Sequence, residues 1–155
     1  MQRVKVYLGI GSNIGDRKRN CLEAVEALKK AGVLIRRVSS LYETEPWGYE
    51  KQPRFLNMAV EGETELSPLS LLKKIKEIEQ NLGRQESFRW GPREVDIDIL
   101  FYDSLVVNEP GLKIPHPYIH KREFVLRPLK EIAPELVHPV LGETIIELFE
   151  QLKRE

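Results

Sequence analysis

Asp96 and Asp98 stand two residues apart in Arg89-Trp90-Gly91-Pro92-Arg93-Glu94-Val95-Asp96-Ile97-Asp98-Ile99-Leu100, the stretch densest in groups that could do chemistry. A strand turns successive side chains to opposite faces, so the two carboxylates would share one face and Val95, Ile97 and Ile99 the other. The apolar flank predicts a central core strand, where paired carboxylates repel and a hard divalent cation relieves them. Mg²⁺ takes one or two carboxylates and fills its shell with water and substrate phosphates. The alternative is that both aspartates lie on a solvated face or pair with arginines.

Arg89 and Arg93 flank the turn Trp90-Gly91-Pro92, with Arg84 upstream. Guanidinium forks suit phosphate oxygens, and arginines beside metal-holding aspartates make a phosphoryl-transfer pattern. Pairing with Glu86 and Glu94 at the surface is the plainer alternative. A second basic set is His116, His120, Lys121, Arg122 and Arg127. His116 lies between Pro115 and Pro117, a stiff setting that suits a donor aimed at a phosphate or leaving oxygen. His120 and His138 read as structural.

Gly9-x-Gly11-Ser12-Asn13 follows a strand but matches neither the dinucleotide nor the P-loop pattern, so its glycines read as room for a flat ligand or another chain segment against the backbone. Phe55 and Asn57 would share a strand face, near Trp47 and Tyr49. An aromatic plane with an amide suits a planar heterocycle; ordinary core for Phe55 and a turn-side Asn57 is the alternative. Glu79 falls on the edge of an apolar helical stripe, in a last turn where negative charge is disfavoured. It calls for a partner, Arg84 or a ligand hydroxyl.

The elements that must position these groups follow from periodicity. Strands are expected at 4–10, 33–42, 55–63 and 95–102, with helices from Asp16 to Gly32 and from Ser67-Pro68 to Leu82. Short strands follow at 106–107 and 112–114, then an irregular stretch or short helix over 115–122, a mixed 125–133 and a last helix over 144–153. The order β-α-β-β-α-β is that of an α+β ferredoxin-like sheet with helices on one face, here with additional C-terminal strands and helices. The 43–53 and 83–92 stretches are loops long enough to suspect function.

The chain of 155 residues reads as a single domain over 1–155. Its 24 basic and 24 acidic residues cancel, which argues against a general nucleic-acid coat. One cysteine, Cys21, excludes an internal disulfide. No apolar run approaches the roughly 18 residues a membrane span needs, and the N-terminus lacks a signal-peptide core. A cytoplasmic protein with no membrane or nucleic-acid partner is expected, as a monomer.

The stretch Arg89-x-Gly91-Pro92-Arg93-x-x-Asp96-Ile97-Asp98-Ile99-Leu100 resembles the signature of the hydroxymethyl-dihydropterin pyrophosphokinase family of folate biosynthesis. In register with it are Leu8 to Asp16, Ser39-Ser40-Leu41-Tyr42-Glu43-Thr44, Phe55 to Ala59, Ile78-Glu79 with Gly83-Arg84, Ile114-Pro115-His116-Pro117 and Ile132-Ala133-Pro134-Glu135. The resemblance implies pyrophosphoryl transfer from ATP to the hydroxymethyl oxygen of the dihydropterin, releasing AMP. It implies two Mg²⁺ on Asp96 and Asp98. The pterin would meet Gly11, Thr44, Phe55, Asn57 and Phe124, with Trp47 at the mouth. The nucleotide would meet Glu79, Arg84, Arg89, Arg93, Ile99, His116 and Arg122. Trp90 and Arg93 would ride on a loop closing over the site, and Arg84, Trp90 and Arg93 would join the two aspartates in catalysis. The rival class is a ferredoxin-like module that only binds a small ligand, nucleotide or RNA; it has little need for two metal-facing carboxylates.

Overall fold

β1 (Val4–Ser12) sends Val6, Leu8 and Ile10 to one face, where all three are buried, and Tyr7 to the other. These and the elements below belong to a computed structural model that describes residues 2–44, 54–83 and 95–155. α1 (Arg17–Ala31) begins where the Asp16 carboxylate accepts the Arg19 N–H at 3.1 Å, which satisfies one orphan donor of the first turn. It stops at Gly32, whose φ of 112° is left-handed backbone that a side chain would strain. α2 (Pro68–Gly83) begins at Ser67, whose hydroxyl accepts the Ser70 N–H, and has proline as its first residue. The stripes Cys21, Ala24, Val25, Leu28 and Leu71, Ile75, Ile78, Leu82 pack together under one sheet face.

Among the described residues the main sheet runs β2 (Val33–Val38), β4 (Phe55–Thr64), β1, β5 (Asp96–Tyr102), all antiparallel, with β3 (Tyr42–Thr44) pairing β4 beyond β2. This is the expected ferredoxin-like order, with the second strand interrupted rather than continuous over 33–42. The interruption falls at Ser39, whose hydroxyl accepts the Ala59 N–H at 2.8 Å and donates to the Ser40 carbonyl.

Two expectations are corrected. β5 is not central but lies at the end of the strand order. Its apolar character comes from helices on both sheet faces, not from strands on both sides. The helices are likewise not confined to one face. α3 (Glu123–Ile132), where a mixed stretch over 125–133 is expected, is a helix that packs Val125, Leu126 and Leu129 with Tyr7, Ala59 and Phe101 on the opposite face. α4 (Ile145–Arg154) joins it there, started by a capping box between Thr144 and Glu147. β6 (Val107–Glu109) and β7 (Leu112–Ile114) form a separate hairpin.

β5 does not alternate throughout. A bulge opposite Tyr7 and Leu8 leaves Leu100 without a register partner, so Phe101 pairs Tyr7 and Tyr102 pairs Val6. Before the bulge Ile97 and Ile99 face α1 and α2, while Asp96 and Asp98 face away. After it Phe101 joins the second core and Tyr102 the first. The one extra residue resets the parity between the chemical half of the strand and its structural half.

Candidate active site

Gly9 and Gly11 leave the α3 side of β1 bare, and the strands on either side supply what stands around the gap. Register puts Asp98 and Asp96 beside Gly9 and Gly11 on β5, and Ala59 and Asn57 beside them on β4. The result is a cavity of about 240 Å³ floored by β1, walled by Asp96, Asp98 and Leu100 on one side, and closed by Thr44, Phe55, Asn57, Phe124 and Arg122 on the other. Every pterin-contact residue expected from the resemblance that is described, Gly11, Thr44, Phe55, Asn57 and Phe124, lines it together with both aspartates.

The Asn57 amide is held on both sides. Its nitrogen donates to the Thr44 hydroxyl at 2.5 Å, and its oxygen faces the Gly11 Cα. Asn57 is 7% exposed, so an amide group is held at the bottom of a pocket with an aromatic ring, Phe55, two residues away on the same face. Phe124 comes from the first turn of α3. Arg122, just before that helix, places its guanidinium 5.3 Å from the Tyr118 ring centre and 5.5 Å from that of Phe124. Rings on a guanidinium orient it without neutralising it.

His116 is half-buried beside Asp98 and Arg122, and its main-chain N–H donates to the Leu100 carbonyl at 3.2 Å. Burial holds its imidazole below the usual histidine value; Arg122 adds to that and Asp98 opposes it. That direction favours the uncharged ring, which has one N–H to give. His138 has the structural role expected of it: its Nδ1 accepts the Val140 and Leu141 N–H groups and its ring stands edge-on to Phe101.

Glu79 and Ile99 are elsewhere. Ile99 packs its side chain in the core on the α1 and α2 side. Glu79 is 2% exposed and accepts the Ile97 N–H at 2.8 Å, with Lys76 at 3.4 Å. The reading of Glu79 as wanting a side-chain or ligand partner missed this main-chain donor. Its contact joins α2 to the start of β5, a tertiary meeting that helix periodicity cannot reveal. Trp47, Tyr49, Arg84, Arg89, Trp90 and Arg93 lie outside the described residues, as does all but Gly83 of the 83–92 loop that was expected to close over the site.

Sequence reasoning also missed Leu100 and Val125 as lining residues, since bulge and helix were both unseen. Tyr118 was missed because its approach to Arg122 depends on the short 3-10 turn Ile119–Lys121 between them. Among the described residues no three His, Cys, Asp or Glu gather as a complete metal cage. The pair Asp96 and Asp98 offers hard oxygen donors at the cavity and fits a cation that completes its shell from water and phosphate. Aspartates, a cationic arginine and an amide-aromatic slot thus meet in one pocket, an arrangement able to hold a charged phosphate chain beside a flat heterocycle.

Residues 7–134 match the 7,8-dihydro-6-hydroxymethylpterin-pyrophosphokinase (HPPK) family. The chain is 46% identical over 142 residues to the 2-amino-4-hydroxy-6-hydroxymethyldihydropteridine pyrophosphokinase of Aquifex aeolicus, covering 92% of this chain and 88% of that one. It is 47% identical over 131 residues to the Bacillus subtilis protein of the same name, covering 84% and 78%. It also matches the folic acid synthesis protein FOL1 of Dictyostelium discoideum at 46% identity, spanning 90% of this chain but only 21% of that longer protein. A crystal structure of an HPPK-DHPS in complex with substrates superposes on 97% of this chain and 43% of its own, with a TM-score of 0.79 at 18% identity, a likeness of fold.

Proposed function

The chain belongs to the 7,8-dihydro-6-hydroxymethylpterin-pyrophosphokinase family, and we propose that the cavity over Gly9 and Gly11 is where it joins its two substrates. The reaction moves the pyrophosphoryl group of ATP to the hydroxymethyl oxygen of the dihydropterin and releases AMP, a step in folate biosynthesis. One observation carries the assignment of the site: the Asn57 amide with its flanking rings stands across two glycines from Asp96 and Asp98.

In this reading Asn57 and Thr44 pair with the edge of the pterin, and Phe55 and Phe124 pack against its faces. Asp96 and Asp98 hold the expected pair of Mg²⁺ ions. Bound Mg²⁺ supplies positive charge against phosphate oxygens and lowers the pKa of a hydroxyl beside it. Arg122 neutralises charge on the phosphate chain, and His116 donates its one N–H to a phosphate or leaving oxygen. Arg84, Arg89 and Arg93 add to the phosphate contacts, and Trp47 and Trp90 cover the ligands; these assignments rest on sequence alone.

Ile99 would serve the nucleotide through its main chain. Glu79 takes the Ile97 N–H on the side of β5 away from β1. Main-chain groups two residues apart on a strand point the same way, so those of Ile99 face that outer edge too. Glu79 would then act from beneath, by holding this edge in place. We keep the monomer as the expected state, on sequence alone. No helix among the described residues is long and apolar enough to cross a membrane, and we keep the cytoplasm as the place of reaction.

The test is product analysis with ATP, Mg²⁺ and hydroxymethyldihydropterin. AMP and pterin diphosphate should form in equal amounts, and ATP should persist when either pterin or Mg²⁺ is left out. ADP as product, or ATP loss without pterin, would contradict the reading.

A further inference from the structure

Two fragments of the sequence, Ser39 to Tyr42 and the segment around Ile132, contribute nothing to the cavity wall, yet they are joined to each other. The Glu131 carboxylate accepts three hydrogen bonds across that join: from the Ser40 N–H at 2.9 Å, the Ser40 hydroxyl at 3.1 Å and the Tyr42 hydroxyl at 2.6 Å. Arg37 spans the same seam, donating to the Ile132 carbonyl at 2.9 Å. The Tyr42 bond holds the Glu131 carboxyl below its ordinary range and the Tyr42 phenol above its own. Arg127 lies over the Tyr42 ring, 5.1 Å from its centre.

What Glu131 holds is a weak element. β3 is three residues long and, among the described residues, pairs with β4 alone. A strand so short has few ladder bonds of its own. Tyr42 and Thr44, two apart, share a face, and Thr44 is the residue whose hydroxyl accepts from the Asn57 amide. On α3, Phe124, Arg127 and Glu131 follow at spacings of three and four, so one stripe of the helix carries both the cavity's Phe124 and the contacts to β3.

We infer that Glu131 is a positioning residue of the pterin subsite: by fixing β3 to α3 it sets where Thr44 stands, and Thr44 sets the Asn57 amide. The inference rests on the pterin reading of the cavity. The hydrogen bonds of Glu131 come from Ser40 and Tyr42, which do not line the cavity, so its effect would pass through them. Its loss should therefore act on pterin binding and leave the nucleotide alone.

The test compares wild type with Glu131→Ala by two readouts: the Asn57 side-chain amide resonances of the free protein, and KM for each substrate with kcat. The resonances should shift, and the pterin KM should rise about fivefold, the scale of an exposed charged contact. The ATP KM and kcat should stay within about twofold, as no transition-state contact is removed. Glu131→Ala added to Thr44→Ala should do no further harm to the pterin KM. Glu131→Gln, which keeps one acceptor oxygen, should fall between, and it carries the same test if the alanine variant fails to fold. Unshifted Asn57 resonances, an unchanged pterin KM, or losses that fall equally on both substrates would overturn the role. If Thr44→Ala itself leaves pterin binding unchanged, the pterin assignment of the cavity fails, and this role with it.

Discussion

Gly11 and Asn57 lie side by side on β1 and β4, so close that a Cβ on Gly11 would stand 2.7 Å from Asn57 Oδ1. The absent side chain and the present amide are one feature. Asn57 can give way only by losing the bond from its nitrogen to Thr44 on the far side at 2.5 Å. Gly11→Ala should therefore displace the amide rather than unfold the strand. We expect it to weaken pterin binding about tenfold, roughly 1.4 kcal/mol, with ATP affinity nearly unchanged. Calorimetry of both ligands checks this, and an unaltered pterin affinity would contradict it.

Removing the amide itself should cost more. Asn57→Ala leaves the polar edge of the pterin facing apolar wall, and unpairing a buried polar partner costs about 1–3 kcal/mol. Pterin affinity should fall by that amount while ATP binding holds. Equal losses for the two ligands would point to a folding defect instead.

Much of this site was legible before the fold. The alternation of Asp96, Ile97, Asp98 and Ile99 predicts one chemical and one core face, and the structure has both. Gly9 and Gly11 read as room for a flat ligand or another chain segment, and they floor the cavity. The failures have physical causes. The 125–133 stretch reads as mixed, and the sheet face that α3 covers exists only in the fold, so α3 was unseen and with it the second helical layer. Apolar runs report burial, not strand order, so β5 was read as central. Glu79 and Ile97 are 18 residues apart, and no local pattern links a helical carboxylate to a strand N–H. The identity of the substrate came from resemblance; an amide and two rings specify only a planar heterocycle.

Glu79 gives a prediction about stability. Its carboxylate is buried on the Ile97 N–H where β5 begins. Glu79→Ala leaves that donor without its acceptor, at a cost of about 1–3 kcal/mol. Urea unfolding should show the loss as a lower midpoint with an unchanged slope. A midpoint equal to wild type's would mean the contact contributes nothing.

His138 sets a pH dependence. Burial, with His120 adding, holds its pKa below the ordinary histidine value, and its Nδ1 is occupied as an acceptor from Val140 and Leu141. The unfolded chain, titrating near 6.5, therefore takes up the proton before the folded one. Stability is fully present above about pH 6.5 and falls as pH drops from there toward the folded pKa. His116 is shifted the same way and contributes in the same sense. Thermal unfolding between about pH 7.5 and 5.5 should show that decline, and His138→Asn should make it shallower. An equally steep decline in the variant would remove His138 as a cause.

The central claim is that Asp96 and Asp98 carry the phosphoryl-transfer chemistry while the far wall of the same cavity holds the pterin. Turnover of purified, folded Asp96→Asn and Asp98→Asn tests it most directly, since each change keeps size and removes charge. Each should lower AMP formation by several orders of magnitude, weaken nucleotide binding in Mg²⁺, and leave pterin affinity nearly intact. Near-normal turnover in both variants would contradict the account.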